Sequence, residues 1–250
     1  MLRSLSELFG YDMTAVDGKA GKVDDFYFDG LSWVIRYVVM DTGSWLTGRK
    51  VLVAPEALEQ PDWEFRRIPS RLSQKQIEQS PSVELDKPVS RQKEEEVLRH
   101  FGWNFYWNMA DPFFPGHAVR TIPVLRELEK EQAQKAPEHD PHLRSADEVM
   151  GYHIAAVDDD IGHLADLIIE DEFWLVRYLV VDTKNWLPFS KKVLVSLDWV
   201  EGVIYDKQRI KVSVTREKIE NSPEYDPSTP VNRAYEIRLY DFHGRPKYWL

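Results

Sequence analysis

Two stretches of the chain are apolar on both faces of an extended strand. In WVIRYVVM, Trp33, Ile35, Tyr37 and Val39 alternate with Val34, Arg36, Val38 and Met40, and β-branched and aromatic residues predominate. WLVRYLVV, beginning at Trp174, repeats the pattern. Strands of this kind are covered on both sides, mid-barrel or between layers. Further strands are expected at 22–28, 50–54 and 65–72, and again at 163–169, 192–196 and 208–214, where Ile210, Val212 and Val214 share a face. Pro69 has no N–H for a ladder, so its strand belongs at a sheet edge. Asp17-Gly18 predicts a two-residue hairpin turn, with Asp158-Asp159 in the corresponding place. Later the period lengthens. RQKEEEVLRHF after Ser90 and RAYEIRLYDFH after Asn232 read as helices, capped by those two residues and ended by Gly102 and Gly244.

These similarities follow a fixed offset. Gly10, Tyr11, Asp17, Gly21, Trp33, Arg36, Tyr37, Asp41 and Trp45 recur 141 positions later, from Gly151 to Trp186. After one inserted residue near Phe189 the offset is 142. It then pairs Ile77-Glu78 with Ile219-Glu220, Ser80-Pro81 with Ser222-Pro223, Arg91 with Arg233, and Tyr106-Trp107 with Tyr248-Trp249. A period of this length implies two similar domains, 1–107 and 143–250. Residues 108–142 form the connector. It opens with the helix-breaking NMADPFFPGH, has the composition of a short helix in TIPVLRELEKEQAQKA, and ends in APEHDPH.

Composition narrows the function classes. With 32 basic and 42 acidic residues the net charge is −10, which supplies no general attraction for phosphate backbones or anionic lipid and argues against nucleic acid as the main partner. The absence of cysteine removes disulfides, thiolate-ligated zinc and thiol nucleophiles. No apolar run has the length of a signal peptide or a membrane span, so the expected location is cytoplasmic, with no transmembrane segment.

The residues quoted above resemble the PRC-barrel domain. The resemblance rests on Gly10-Tyr11, Val16-Asp17-Gly18, Gly21-Lys22-Val23, Trp33 to Asp41-Thr42, Trp45-Leu46 and Lys50-Val51-Leu52-Val53, and on their counterparts from Gly151 to Val195. That family is named for the cytoplasmic domain of the photosynthetic reaction-centre H subunit and includes the C-terminal domain of ribosome-maturation factors. Asp159 and Asp160 depart from its usual turn. The tails resemble the extension of stand-alone bacterial members with two such domains. The resemblance implies a mainly β fold of two PRC-type β-barrels, each followed by a C-terminal helical extension, arranged as an internal duplication. It carries over no catalytic residues.

Candidate chemistry is sparse. Arg36 and Arg177 stand in apolar strands, each followed by a tyrosine, Tyr37 and Tyr178. They read as ligand-contacting cations or, preferably, as buried partners of Asp25 and Asp166, with Asp41 and Asp182 closing the strand ends. His139 and His142 flank Asp140, but an i, i+3 pair across a proline is poorly preorganised, and no metal or cofactor is expected. Asp158, Asp159 and Asp160 lack the glycine and glutamate positions of a calcium loop and read as an acidic turn. His100 reads as a helix C-terminal residue. Trp103, Tyr106, Trp107, Phe113, Phe114, Tyr248 and Trp249 are candidate interface aromatics, within the chain or toward a second chain in a homodimer. No nucleophile stands beside a base and no phosphate-binding glycine motif is present. The expected role is therefore a non-catalytic protein-binding or assembly module. An RNA-processing or ribosome-assembly adaptor, or a hydrolase with an inter-domain site, are the alternatives.

Overall fold

The computed structural model describes residues 1–81, 91–103, 143–183 and 191–249. The short helix expected in the connector, together with His139, His142, Tyr106, Trp107, Phe113 and Phe114, falls outside the described residues.

Two compact units are present, and neither is a contiguous half of the chain. The N-terminal unit holds Leu8–Asp147 and Glu172–Trp174; the C-terminal unit holds Met1–Glu7, Glu148–Asp171 and Leu175–Leu250. Residues 1–7 thus group with the later segment and residues 143–147 with the earlier one.

In the N-terminal unit the strands are β2 (Asp12–Ala15), β3 (Gly18–Asp29), β4 (Ile35–Asp41), β5 (Lys50–Val53), β6 (Arg67–Pro69) and β7 (Leu143–Ser145), in the order β5-β4-β3-β2-β6 with β7 on the far end of β3. Register shifts at Val23/Asp25 and Tyr27/Phe28 bend β3, so that its first residues pair with β2 and its last three with β7. The C-terminal unit contains β1 (Leu2–Ser4), β8 (His153–Ala155), β9 (Asp160–Glu170), β10 (Leu175–Asp182), β11 (Lys192–Ser196), β12 (Val200–Ile204) and β13 (Arg209–Val212), ordered β11-β10-β9-β8-β13-β12 with β1 on the end of β9. Both sheets are mainly antiparallel, and neither closes into a barrel. This corrects the expected closure: the end strands do not pair with each other among the described residues.

The alternation in WVIRYVVM is realised as β4, whose Ile35, Tyr37, Val38, Val39 and Met40 are all buried. Trp33 lies before the strand in the left-handed region at φ 58°, and Trp174 matches it at 52°. Asp29 Oδ1 holds that turn by accepting from the backbone of Leu31 and Ser32. The first hairpin turns at Val16-Asp17, one residue earlier than expected, and the second uses a longer loop between Ala155 and Asp160.

Gly21 and Gly162 permit the tightest approach in each sheet. A Cβ on either would lie 2.3 Å from the carbonyl oxygen of Asp41 or 2.2 Å from that of Asp182, well inside contact distance.

Among the described residues two α-helices lie within the N-terminal unit, and a third starts in it and ends in the C-terminal unit. Helix α1 (Gln74–Glu78) starts in a Ser73/Gln76 capping box, and Asp17 accepts from its first amide. Helix α2 (Arg91–Phe101) lays Val97 and Leu98 on Tyr27, Tyr37, Val39 and Leu52, with Leu143 of β7 in the same core. Helix α3 (Ala146–Val149) follows β7. In the C-terminal unit α4 (Arg216–Glu220) is capped by Thr215 and by Asp158. The acidic turn is neutralised locally, Asp159 by Arg216 at 2.8 Å and Asp160 by Arg209 at 2.6 Å. Helix α5 (Arg233–His243) begins at Asn232, whose side chain accepts from the Tyr235 amide at 2.9 Å, and ends at the left-handed Gly244. Among the described residues no helix is long and apolar enough to cross a membrane.

Candidate functional site

Helix α5 is amphipathic, and its buried face carries Tyr235, Glu236, Leu239, Tyr240 and His243 at helical spacing. A carboxylate there requires partners, because an unpaired buried charge costs several kcal/mol, on the order of 3–5. Glu236, 2% exposed, has three. Its Oε1 accepts from Tyr178 Oη at 2.6 Å and from Tyr248 Oη at 2.8 Å, while Arg233 Nη1 lies 3.0 Å from Oε2. Burial and the adjacent carboxylate raise the Tyr178 and Tyr248 hydroxyls above the ordinary tyrosine range.

The tail completes this cluster. Arg177 sits 4.6 Å from the Tyr248 ring centre, Arg233 sits 4.1 Å from that of Trp249, and Trp249 meets Tyr240 edge-on at 5.1 Å. Arg177 is 15% exposed and bonds Glu170 through Nε at 2.8 Å and Nη2 at 2.6 Å. The expected partner, Asp166, is engaged elsewhere: it accepts from Ser4 and Ser6. Glu170 stands near Arg177 across the β9–β10 ladder, which a count along the sequence does not reveal.

Deeper along α5, Ser196 Oγ bonds Tyr240 Oη at 2.7 Å. His243 packs on Trp199 at 4.4 Å, and its Nε2 lies 3.2 Å from Ser222 Oγ. Burial, with Lys218 and Arg245 nearby, pushes the His243 imidazole down to about 4, so it is neutral at pH 7. A serine beside a histidine has the composition of a nucleophile and base, but such a pair also needs substrate access and an acid orienting the far ring nitrogen. Ser222 and His243 are 3% and 2% exposed, and His243 Nδ1 has no hydrogen-bond partner among the described residues.

The N-terminal unit builds a lighter version of the same seam. Tyr37 Oη donates to the buried Glu94 at 3.2 Å, and Trp103 stacks on Phe101 at 4.3 Å against the α2 core. Arg36 is half-buried rather than buried. Its expected partner Asp25 instead accepts from Ser145 and the Asp147 amide. Asp41 Oδ1 accepts from the Gly43 amide at 2.8 Å and Oδ2 lies 3.5 Å from Lys50; Asp182 ends β10. His100 Nε2 lies 3.0 Å from the Gln76 carbonyl. Among the described residues no group of three or more acidic or histidine side chains is arranged to hold a metal.

Glu94, Glu236, Asp25, Asp166 and His243 thus hold the positions that sequence reasoning missed or misassigned. For the two glutamates the signal was present: each lies on the apolar stripe of its helix, at the same offset of 142.

Exposed apolar side chains stand on turns and also on α5, where Ile237 and Phe242 are 39% and 42% exposed. Val16 and Val157 are 68% and 67% exposed on the two β-hairpins, and Phe65 is 66% exposed in the turn WEFRR. That turn is held by Asp62, which accepts from the Phe65 amide and pairs with Arg67 at 2.9 Å. Arg66 lies 4.8 Å from the Tyr11 ring centre, and Trp63 meets Tyr11 edge-on at 5.9 Å.

The C-terminal half carries a recognisable domain. Residues 143–219 match the PRC-barrel domain family. No curated protein matches the chain. The matched PRC-barrel segment runs from β7 into α4, yet its first strand lies in the sheet of the N-terminal unit.

Proposed function

We propose that the protein is a cytoplasmic, non-catalytic protein-binding or assembly module, formed by internal duplication of a PRC-type β domain and related to the cytoplasmic domain of the reaction-centre H subunit. One contrast carries this reading. Tyr178 and Tyr248 are bonded to the buried Glu236, and Arg177 packs on Tyr248 while paired with Glu170, all in a helix-to-sheet seam, whereas Phe65, Val16 and Val157 stand exposed on turns. Exposed apolar side chains on turns suit recognition of another protein. The matched offset of Tyr37, Glu94 and Trp33 with Tyr178, Glu236 and Trp174 supports the duplication.

The test is affinity capture with the full chain and with Phe65→Asp and Val157→Asp variants as baits. A protein retained by the wild type and lost with Phe65→Asp, while the variant keeps its melting temperature, supports the reading. RNA binding whose affinity falls steeply with salt would replace it with the adaptor alternative.

A further inference from the structure

Leu2-Arg3-Ser4 and Leu143-Arg144-Ser145 are the same tripeptide, 141 positions apart. Each is a three-residue strand, and each lies on the sheet formed mainly by the other sequence segment: β1 pairs with β9, and β7 with β3. The two seats share three hydrogen bonds at equivalent residues, and Ser6 Oγ adds a fourth to Asp166 Oδ1 at 2.7 Å that the carboxylate of Asp147, at the equivalent position, does not match. Ser145 Oγ donates to Asp25 Oδ2 at 2.5 Å, and the Asp147 amide to Oδ1 at 3.1 Å. Ser4 Oγ donates to Asp166 Oδ2 at 2.5 Å, and the Ser6 amide to Oδ1 at 3.1 Å. Each carboxylate is fixed by the amide of the following residue, Phe26 or Leu167, at 2.7 Å. The leading leucine is buried in both, Leu143 to 4% exposure within the α2 core and Leu2 to 8%.

These are the parts of a peptide-recognition site that adds a strand to a sheet. Backbone pairing supplies affinity, while a leucine socket and a serine-reading aspartate supply selectivity. Without its tripeptide, the end of β9 from Ile168 to Glu170 would present unpaired backbone groups beyond β8.

We infer that the ends of β3 and β9 are strand-accepting sites for a Leu-Arg-Ser segment, and that a second copy of this chain fills them when two molecules pair by exchanging these strands. Neither segment fills its own site, so the seat does not require the strand to be contiguous with the sheet that receives it. Exchange between molecules keeps every bond of the seat, which is why strand swapping is a low-cost route to dimers. The balance is set by protein concentration against the effective concentration of the tethered strand, on the order of mM for a short flexible tether. The inference does not depend on what the Phe65 turn binds.

The lack of cysteine gives a direct test on the full chain. Arg3 and Ile169 are register partners, and antiparallel partners lie within disulfide reach. Full-length Arg3→Cys and Ile169→Cys chains are mixed at high concentration, incubated, oxidised and run without reductant; each variant alone controls for random oxidation. The expected result is a covalent species of twice 29.3 kDa, enriched at least tenfold in the mixture over either variant alone. An excess of the peptide MLRSLSEL should suppress it, and the same peptide with its first serine changed to alanine should not. Leu2→Cys with Glu170→Cys is a second pair, in which Glu170 is only partly buried, should Ile169→Cys fold poorly. Only monomer from both mixtures, or a dimer indifferent to the peptide, overturns the inference. Either result leaves the Phe65 reading standing.

Discussion

The same stretch of sheet is built fully in one unit and barely in the other. In the C-terminal unit β12 and β13 form a hairpin, with Gly202 opposite Lys211 and Val203 opposite Ile210, and β13 also pairs with β8. In the N-terminal unit β6 pairs with β2, and toward 58–62 only the isolated bridges Leu58 to Ser70 and Asp62 to Arg67 remain. At offset 142, Pro61 and Pro69 stand where the other unit has Val203 and Lys211. A proline lacks the N–H that a ladder needs, so two substitutions reduce a hairpin to two bridges. The turn at its tip survives in both, with Arg66 and Gln208 at the same φ of 50°. Backbone hydrogen bonding can thus be thinned on one sheet edge while the tip geometry that presents Phe65 persists.

The two units should differ most at their close-approach glycines. Gly162 combines a φ of +98° with a carbonyl 2.2 Å from any added Cβ, whereas Gly21 has the clash without the left-handed backbone. We expect Gly162→Ala to cost about 3 kcal/mol or more and Gly21→Ala about 2 kcal/mol. Urea unfolding of each variant against wild type measures both. Equal losses would show that the backbone conformation at Gly162 adds nothing.

Acid should separate the units next, because their buried titratable groups move in opposite directions. His243 is held at about 4, below its ordinary 6.5, so between those values the unfolded chain takes up a proton that the folded one refuses. The C-terminal unit then loses stability from about pH 6.5 down to about pH 4, by about 3 kcal/mol in all. His243→Phe, which installs the residue found at the related position Phe101, should flatten that limb and leave stability at pH 8 nearly unchanged. Asp25 acts in the opposite sense, since burial raises its carboxyl. Its contribution to the N-terminal unit is complete below its ordinary 3.8 and fades as pH rises through the raised value. Thermal melts from pH 3 to 8, with hydrogen exchange to resolve the units, provide the check; a C-terminal unit insensitive to acid would contradict the assignment.

The smallest effect is expected where the comparison began. Pro61→Val with Pro69→Lys should restore ladder bonds between 58–62 and 67–69 and raise amide protection there. The gain in stability should be no more than about 1 kcal/mol, since edge pairings of this length are weak. Unchanged protection would mean that something other than the two prolines keeps these strands apart.

Much of this fold follows from local residue patterns. The cores of β4 and β10 announce themselves because a strand buried on both faces must be apolar at most positions, Arg36 and Arg177 being half-buried exceptions within them. Helix α5 was bounded by its caps Asn232 and Gly244, which are local chemistry, and Pro69 placed β6 at an edge because the missing donor belongs to the residue itself. Tertiary structure decided the rest. A three-residue strand has no readable period, so nothing in Leu-Arg-Ser says which sheet it joins; that depends on Asp25 and Asp166, distant in sequence and adjacent only after folding. The same reason gave Arg177 to Glu170 across a bulged ladder, and it left both sheets open where the pattern of strands suggested closed barrels, because closure is a property of end strands meeting in space.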